Sequence, residues 1–148
     1  MEYEIDQMKP EDVREVAALE AKIFSVPWSE AGFLSSLQSE DTLYLAVRKS
    51  GKLIAYCGLL QSLDEADITN VAVEESCRGC GIASRMLGRL MELGKARGIV
   101  RYTLEVRVSN ASAIHVYEKL GFHSVGIRKN FYDRPKEDAM IMWTEDSF

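Results

Sequence analysis

The apolar positions of the chain change period several times, and each change marks an element. Leu43–Arg48 and Leu53–Leu60 are near-continuous apolar runs on either side of Lys49-Ser50-Gly51-Lys52, whose length and glycine suit a hairpin. Ile68–Val73 is a third buried run, entered through a polar turn predicted at Asp64-Glu65-Ala66-Asp67. After a glycine-rich stretch the pattern becomes helical. Met86, Leu87, Leu90 and Leu93 recur at helical spacing as far as Arg97, and Gly98 predicts the cap. Arg101–Val106 again reads as a strand, and Ser109-Asn110 caps a helix that runs through Leu120 and closes at Gly121. Phe122–Asn130 and Ala139–Trp143 predict a last pair of strands, joined across Asp133-Arg134-Pro135-Lys136.

Nearer the N-terminus, Tyr3-Glu4-Ile5 begins an edge strand. Lys9-Pro10-Glu11-Asp12 opens a helix with proline and acids in its first turn. Val13, Val16, Ala17, Leu19, Glu20 and Phe24 give that helix a mostly apolar stripe. Ser25-Val26-Pro27-Trp28-Ser29 breaks it, and Ser29 is placed to cap a second short helix through Leu37. The proline-tryptophan loop reads either as a hydrophobic plug on the core or as one wall of a substrate site, and the sequence favours the plug. The predicted order is β-α-α-β-β-β-α-β-α-β-β. It describes a mixed, mostly antiparallel sheet flanked by helices, in one α/β domain over residues 1–148.

Composition narrows the class. A chain of 148 residues with 47% hydrophobic and 28% charged residues is ordinary for a globular domain. No run of eighteen apolar residues is present, so no membrane contact is expected. The opening Met-Glu-Tyr-Glu-Ile-Asp is acidic where a signal peptide would be basic, which predicts a cytoplasmic protein. A formal net charge of −5 argues against nucleic acid as the main partner and leaves room for a basic peptide. Cys57, Cys77 and Cys80 are odd in number, so a disulfide framework is not expected. Cys77-Arg78-Gly79-Cys80 is a C-x-x-C. No second pair accompanies it, and His115 and His123 are too few to complete a zinc site. We expect no metal and read both cysteines as incidental to the loop.

The candidate chemistry begins at Arg78-Gly79-Cys80-Gly81-Ile82-Ala83, where a strand hands over to a helix. Glycines let backbone amides approach a ligand closely, and the first turn of the helix adds unpaired N–H groups and the positive end of its dipole. Such a turn cradles phosphate. The Walker lysine is missing, and Ser84 stands where a dinucleotide fingerprint needs its third glycine. The spacing that fits is Arg/Gln-x-x-Gly-x-Gly/Ala, with Arg78, Gly81 and Ala83 in the three places. It resembles the pyrophosphate loop of the GNAT acyl-CoA N-acyltransferases, and the element order is the order of that fold. A second stretch, Leu104-Glu105-Val106-Arg107-Val108-Ser109-Asn110 through Tyr117 to Gly121-Phe122, resembles the L-E-V-R-x-S-N segment of the RimI-type ribosomal-protein alanine acetyltransferases. Asn70-Val71-Ala72-Val73, Pro27-Trp28-Ser29 and Glu137–Met142 agree with that group.

Read on its own, Glu105 is either an acid on the solvent face of a sheet or a general base. Tyr117 is either a core tyrosine or a phenol that protonates a leaving thiolate, and an N-cap alone explains Asn110. The resemblance implies acetyl-CoA as co-substrate, Glu105 as base and Tyr117 as acid. It implies that Val71, Ala72 and Val73 present backbone groups to the pantetheine arm and the acetyl carbonyl. It also implies a pyrophosphate cradle formed by Arg78, Gly79, Cys80, Gly81, Ile82, Ala83 and Ser84, with Asn110 bonding the pantetheine. Cys80 departs from a position that is commonly basic or long, and Ala83 from one that is often glycine. The acceptor it implies is a protein N-terminal amine, with a small-subunit ribosomal protein beginning in alanine the best match. An α-ammonium of pKa about 8 asks little of a carboxylate base. No cysteine lies beside a plausible base, which points to direct attack without a covalent intermediate. The alternatives are another N-terminus, a lysine or a small amine as acceptor, or a non-catalytic acyl-CoA-binding regulatory domain. Tyr132 either lines the peptide side or is an exposed aromatic in a turn.

Overall fold

A computed structural model describes residues 2–145. The elements in chain order are β1 (Glu4–Gln7), α1 (Val13–Ile23), α2 (Glu30–Leu37), β2 (Thr42–Lys49), β3 (Lys52–Ser62), β4 (Glu65–Val73), α3 (Ile82–Ala96), β5 (Arg101–Arg107), α4 (Ala111–Lys119), β6 (His123–Asp133) and β7 (Lys136–Trp143). This is the predicted order. The seven strands form one sheet in the order β1-β2-β3-β4-β5-β7-β6. Every neighbouring pair is antiparallel except β4 and β5, and α3 makes the crossover that a parallel pair requires.

The two faces of the sheet carry separate cores. Leu45, Cys57, Leu59, Ile68, Leu104 and Val106 pack under α3 and α4 with Met86, Leu87, Leu90 and Tyr117. Tyr44, Ala46, Tyr56 and Ala72 face the other way, against Val13, Val16 and Leu19 of α1 and Phe33 of α2. Strands β2 and β3 are buried on both faces, which is why they read as unbroken apolar runs rather than alternations.

Strands β4 and β5 stay together only briefly. Glu65, Ala66 and Asp67 pair with Arg101, Tyr102 and Thr103, and beyond that the two strands diverge. At the same place the register between β3 and β4 shifts, with Gly58 opposite Asn70 and Leu59 opposite Ile68. Thr69 is the extra residue of a β-bulge. Ala66 and Ile68 face α3 before it, and Val71 and Val73 face α3 after it. A bulge bends its strand and steepens its twist, and here it turns β4 away from β5.

Several boundaries differ from the prediction. The polar turn predicted over Asp64–Asp67 is displaced: β4 begins at Glu65, and the chain reverses at Leu63, whose φ is 58°. Pairing with β3 and β5 on both sides keeps the polar residues Glu65 and Asp67 in the strand. The last hairpin is longer than Phe122–Asn130 with Ala139–Trp143, because Tyr132 pairs with Glu137 and Asp133 with Lys136. A register shift between Arg128 and Tyr132 hides that pairing, with Asn130 at φ 54° and its N–H bonded to Asp138 Oδ1 at 2.8 Å. Pro10–Asp12 is a 3₁₀ turn ahead of α1, and α1 ends at Ile23, so Phe24 leaves the apolar stripe in extended conformation.

Candidate active site

Where β4 and β5 diverge, a cleft of about 650 Å³ opens. Its walls are Ile68–Val71 of β4 and Leu104–Arg107 of β5. It is completed by Asn110 and Tyr117, by Glu20 and the segment from Ile23 to Trp28, and by Phe131–Pro135 at the tip of the last hairpin. Glu105, Tyr117, Asn110 and Val71, which the sequence singles out separately, therefore share one cavity.

The strand alternation explains how Glu105 and Tyr117 reach it from different sides. Tyr102, Leu104 and Val106 are buried under α3 and α4, so Thr103, Glu105 and Arg107 turn to the opposite face. Tyr117 comes from α4, on the far side, and is 7% exposed. The gap between the strands is what lets both face the same space. Burial pushes the Tyr117 phenol well above its ordinary range, and the neighbouring Tyr132 and Cys57 add to the shift. It therefore keeps its proton across the neutral range. Among the described residues its hydroxyl makes no hydrogen bond. Its ring packs on Phe122 with centroids 5.9 Å apart.

Glu105 shapes the electrostatics around it. Asp67, on β4, is pushed up to about 6, chiefly by burial and secondly by Glu105. Its Oδ1 is buried without a hydrogen-bond partner. Tyr132 is raised too, by burial first and Glu105 second, with Arg107 opposing. Asn110 caps α4, its Oδ1 accepting the Ala113 N–H at 3.3 Å.

The glycine loop lies at the other end of the parting. Gly79 and Gly81 both have φ of 79°, a region that side chains rarely adopt, and a Cβ at either would meet open space. Gly81 is the N-cap of α3, and no side chain caps the helix, so its first-turn amides carry no local acceptor. The residues present thus fit an anionic group. Arg78 turns back, its Nε donating to the Val73 carbonyl at 3.1 Å, which ties the loop to the end of β4. Ile82, at 1% exposure, is a core side chain, so only its backbone faces outward. Ala72 is likewise buried, on the α1 side of the sheet. Cys77 is buried and Cys80 exposed.

Two features of the cleft escape a reading of the sequence, and two more, at Trp28 and Tyr132, answer alternatives it left open. Glu20 stands in the stripe of α1 yet borders the cavity, and its buried carboxylate accepts the backbone Trp28 N–H at 2.9 Å and the Tyr56 hydroxyl. Trp28 is no plug. It is 39% exposed and lies at the cleft wall against Phe33. Tyr132 lines the cleft rather than a turn, under the Arg107 guanidinium at 4.3 Å. Arg107 also donates to the carbonyls of Pro135 (2.8 Å) and Arg134 (3.3 Å) and to Glu137 (3.2 Å). Hydrogen bonds from Ser109, and secondarily Arg107, hold the Glu137 carboxyl below its ordinary range. Finally, the Ser25 hydroxyl donates to the Arg134 carbonyl, so the two lips of the cleft touch.

The sequence pattern of the Acetyltransferase (GNAT) family matches residues 13–122. The chain is 39% identical over 140 residues to a putative ribosomal protein bS18-alanine N-acetyltransferase of Bacillus subtilis, covering 94% of this chain and 93% of that one. It is 37% identical over 141 residues to the ribosomal protein bS18-alanine N-acetyltransferase of Haemophilus influenzae, covering 93% and 95%. Among solved structures, the Escherichia coli ribosomal-protein-S18-alanine N-acetyltransferase superposes with a TM-score of 0.90 at 34% identity, over 99% of this chain and 96% of that one.

Proposed function

The chain belongs to the GNAT acetyltransferase family, and we propose that within it the protein transfers the acetyl group of acetyl-CoA to the N-terminal α-amine of a protein. The acceptor we propose is the alanine that begins a small-subunit ribosomal protein, as the names of relatives in Bacillus subtilis and Haemophilus influenzae support. The observation that carries the reading is the meeting of Glu105 and Tyr117 in one cleft, with Asn110 and the β4 backbone beside them.

In this reading the first-turn amides of α3, with Gly79 and Gly81 holding the turn open, take the pyrophosphate of acetyl-CoA. Cys80, Ala83 and Ser84 contribute backbone there, and Arg78 steadies the loop from behind. Val71, Ala72 and Val73 offer backbone groups along the parting, and an N–H aimed at the acetyl carbonyl stabilises the oxyanion as it develops. Glu105 accepts a proton from the acceptor ammonium, directly or through one water, and the free amine attacks the carbonyl carbon. The carbon–sulfur bond then breaks: Tyr117 gives its proton to the departing thiolate, whose pKa is about 8.5 by analogy with cysteine, and the new amide nitrogen sheds its second proton, which restores the phenol. Burial keeps that phenol protonated but also makes it a weak acid, so its proton passes as the carbon–sulfur bond breaks and not before.

A regulatory domain that only binds acyl-CoA has no use for both groups in the cleft. A lysine acceptor asks the base to remove a proton of pKa about 10.4, harder by two units than an α-ammonium. The test is mass spectrometry of peptides incubated with acetyl-CoA and the protein. One peptide begins with alanine and carries an internal lysine, and a second has its α-amine blocked. Acetylation at the N-terminus alone is the expected result. Lysine acetylation of the blocked peptide, or none of either, overturns the proposal.

A further inference from the structure

Glu20 is an unusual residue for the place it occupies. It is 3% exposed and bonds Tyr56 of the α1-side core, where an apolar side chain would be buried without losing hydration. Both donors it bonds, the Trp28 N–H and the Tyr56 hydroxyl, are neutral. Burial and the carboxylate together drive the Tyr56 phenol far above its ordinary range, so it remains a donor.

What the carboxylate achieves is visible in the segment it holds. The backbone carbonyl of Glu20 accepts the Phe24 N–H at 2.9 Å, and its side chain accepts the Trp28 N–H at the same distance. Phe24 to Trp28 is thereby closed on one residue at both ends. The segment lies outside any helix or strand, and Pro27 has no N–H to give. Yet it presents Phe24, Val26 and Trp28 at 38%, 66% and 39% exposure, three large apolar groups on one lip of the cleft. Trp28 is braced from behind by Phe33 at 5.3 Å, and Phe33 in turn by Tyr56 at 5.8 Å. Tyr56 closes the circuit on Glu20.

We propose that Glu20 is a positioning residue for the acceptor: it fixes Phe24–Trp28 as an apolar lip against which the chain behind the reacting amine is held. The inference rests on the proposed function, since it needs an acceptor long enough to cross the lip. It assigns Glu20 no part in proton transfer and no contact with acetyl-CoA.

The experiment is steady-state kinetics on an alanine-starting peptide with acetyl-CoA binding measured by calorimetry. Glu20→Ala removes the acceptor for Trp28 and should raise the peptide KM about tenfold, with kcat within about threefold of wild type. Acetyl-CoA affinity should hold. Glu20→Gln can accept the Trp28 N–H with its amide oxygen and donate to Tyr56 with its amide nitrogen, so it should restore KM to within about twofold. Val26→Asp, at a residue two-thirds exposed and so tolerant in folding, should raise KM independently of Glu20. Parallel loss of kcat, KM and acetyl-CoA affinity in Glu20→Ala, with no rescue by glutamine, would mean a merely structural residue. Unchanged KM in both Glu20→Ala and Val26→Asp, with active wild type, overturns this inference alone. A wild type that acetylates no peptide overturns the functional reading and this inference with it.

Discussion

At the N-terminus of α3 the groups turned outward are peptide N–H groups, held by two glycines at positive φ. In the cleft between β4 and β5 they are side chains, contributed by α1, α4, β5 and the tip of the last hairpin. The loop is made by seven neighbouring residues and needs little from the rest of the fold. The cleft is assembled from residues more than a hundred positions apart, such as Ser25 and Arg134. A backbone site tolerates exchange of its side chains and fails when its dihedral angles are disturbed. A side-chain site behaves in the opposite way, and that contrast can be tested.

The largest effect is expected in the cleft. Glu105→Gln and Tyr117→Phe each remove one proton carrier and should lower the rate about a hundredfold or more. Acetyl-CoA affinity should barely move, because neither residue lies at the glycine loop. Raising the pH should relieve part of the Glu105→Gln loss, since more acceptor amine is already free. A pH profile of kcat/KM with parallel calorimetry separates the two. Loss of affinity instead of rate would erase the distinction between the regions.

At the loop the pattern should invert. Gly81→Val must hold a β-branched residue near φ 79°, and should weaken acetyl-CoA binding about tenfold or more while circular dichroism stays native. Cys80→Ser, at an exposed side chain of the same loop, should leave binding within about twofold. Equal losses in both variants would show that the loop works through side chains after all.

The smallest effect probes the half-buried acid at the β4–β5 seam, Asp67. Asp67 is raised from 3.8 to about 6 in the folded protein, so the folded state holds its proton more tightly than the unfolded chain. That contribution is fully present below about pH 4 and is lost as pH rises through about 6. Asp67→Asn removes it, so the variant should gain on wild type across that window and stay ahead above it. The shift corresponds to about 3 kcal/mol at most, and solvent screening of a half-exposed group reduces this to about 1 kcal/mol. Thermal melts at pH 4 and pH 7 should show the variant ahead by about 3 °C only at the higher pH. No difference at pH 7 would mean that burial does not penalise the ionised Asp67 carboxyl.

The same contrast explains what could be read in advance. The glycine loop, the hairpin at Ser50-Gly51 and the cap at Asn110 are local, and each was legible because its geometry depends on adjacent residues. Glu105 and Tyr117 were legible as a spaced pattern, although only the diverging strands bring them together. The bulge at Thr69 was not, since Ile-Thr-Asn-Val reads as a plain strand and the irregularity exists only against β3. Glu20 was absorbed into a helical stripe because nothing near it in sequence announces Tyr56. Tyr132 and Arg134 depend on a hairpin whose length is set by cross-strand pairing, with Arg107 holding the tip from β5.

The brevity of the β4–β5 contact has a mechanical meaning. The sheet is two antiparallel leaves, one of four strands and one of three, stitched along a seam only three residues long on each side. Past that seam β4 runs on with an edge that meets no strand among the described residues. A ligand lying along it takes the place of absent rungs and fastens the leaves to each other. Such a ligand needs both edges in place, so each factor of ten in its concentration above the dissociation constant adds about 1.4 kcal/mol to the stability of the folded chain.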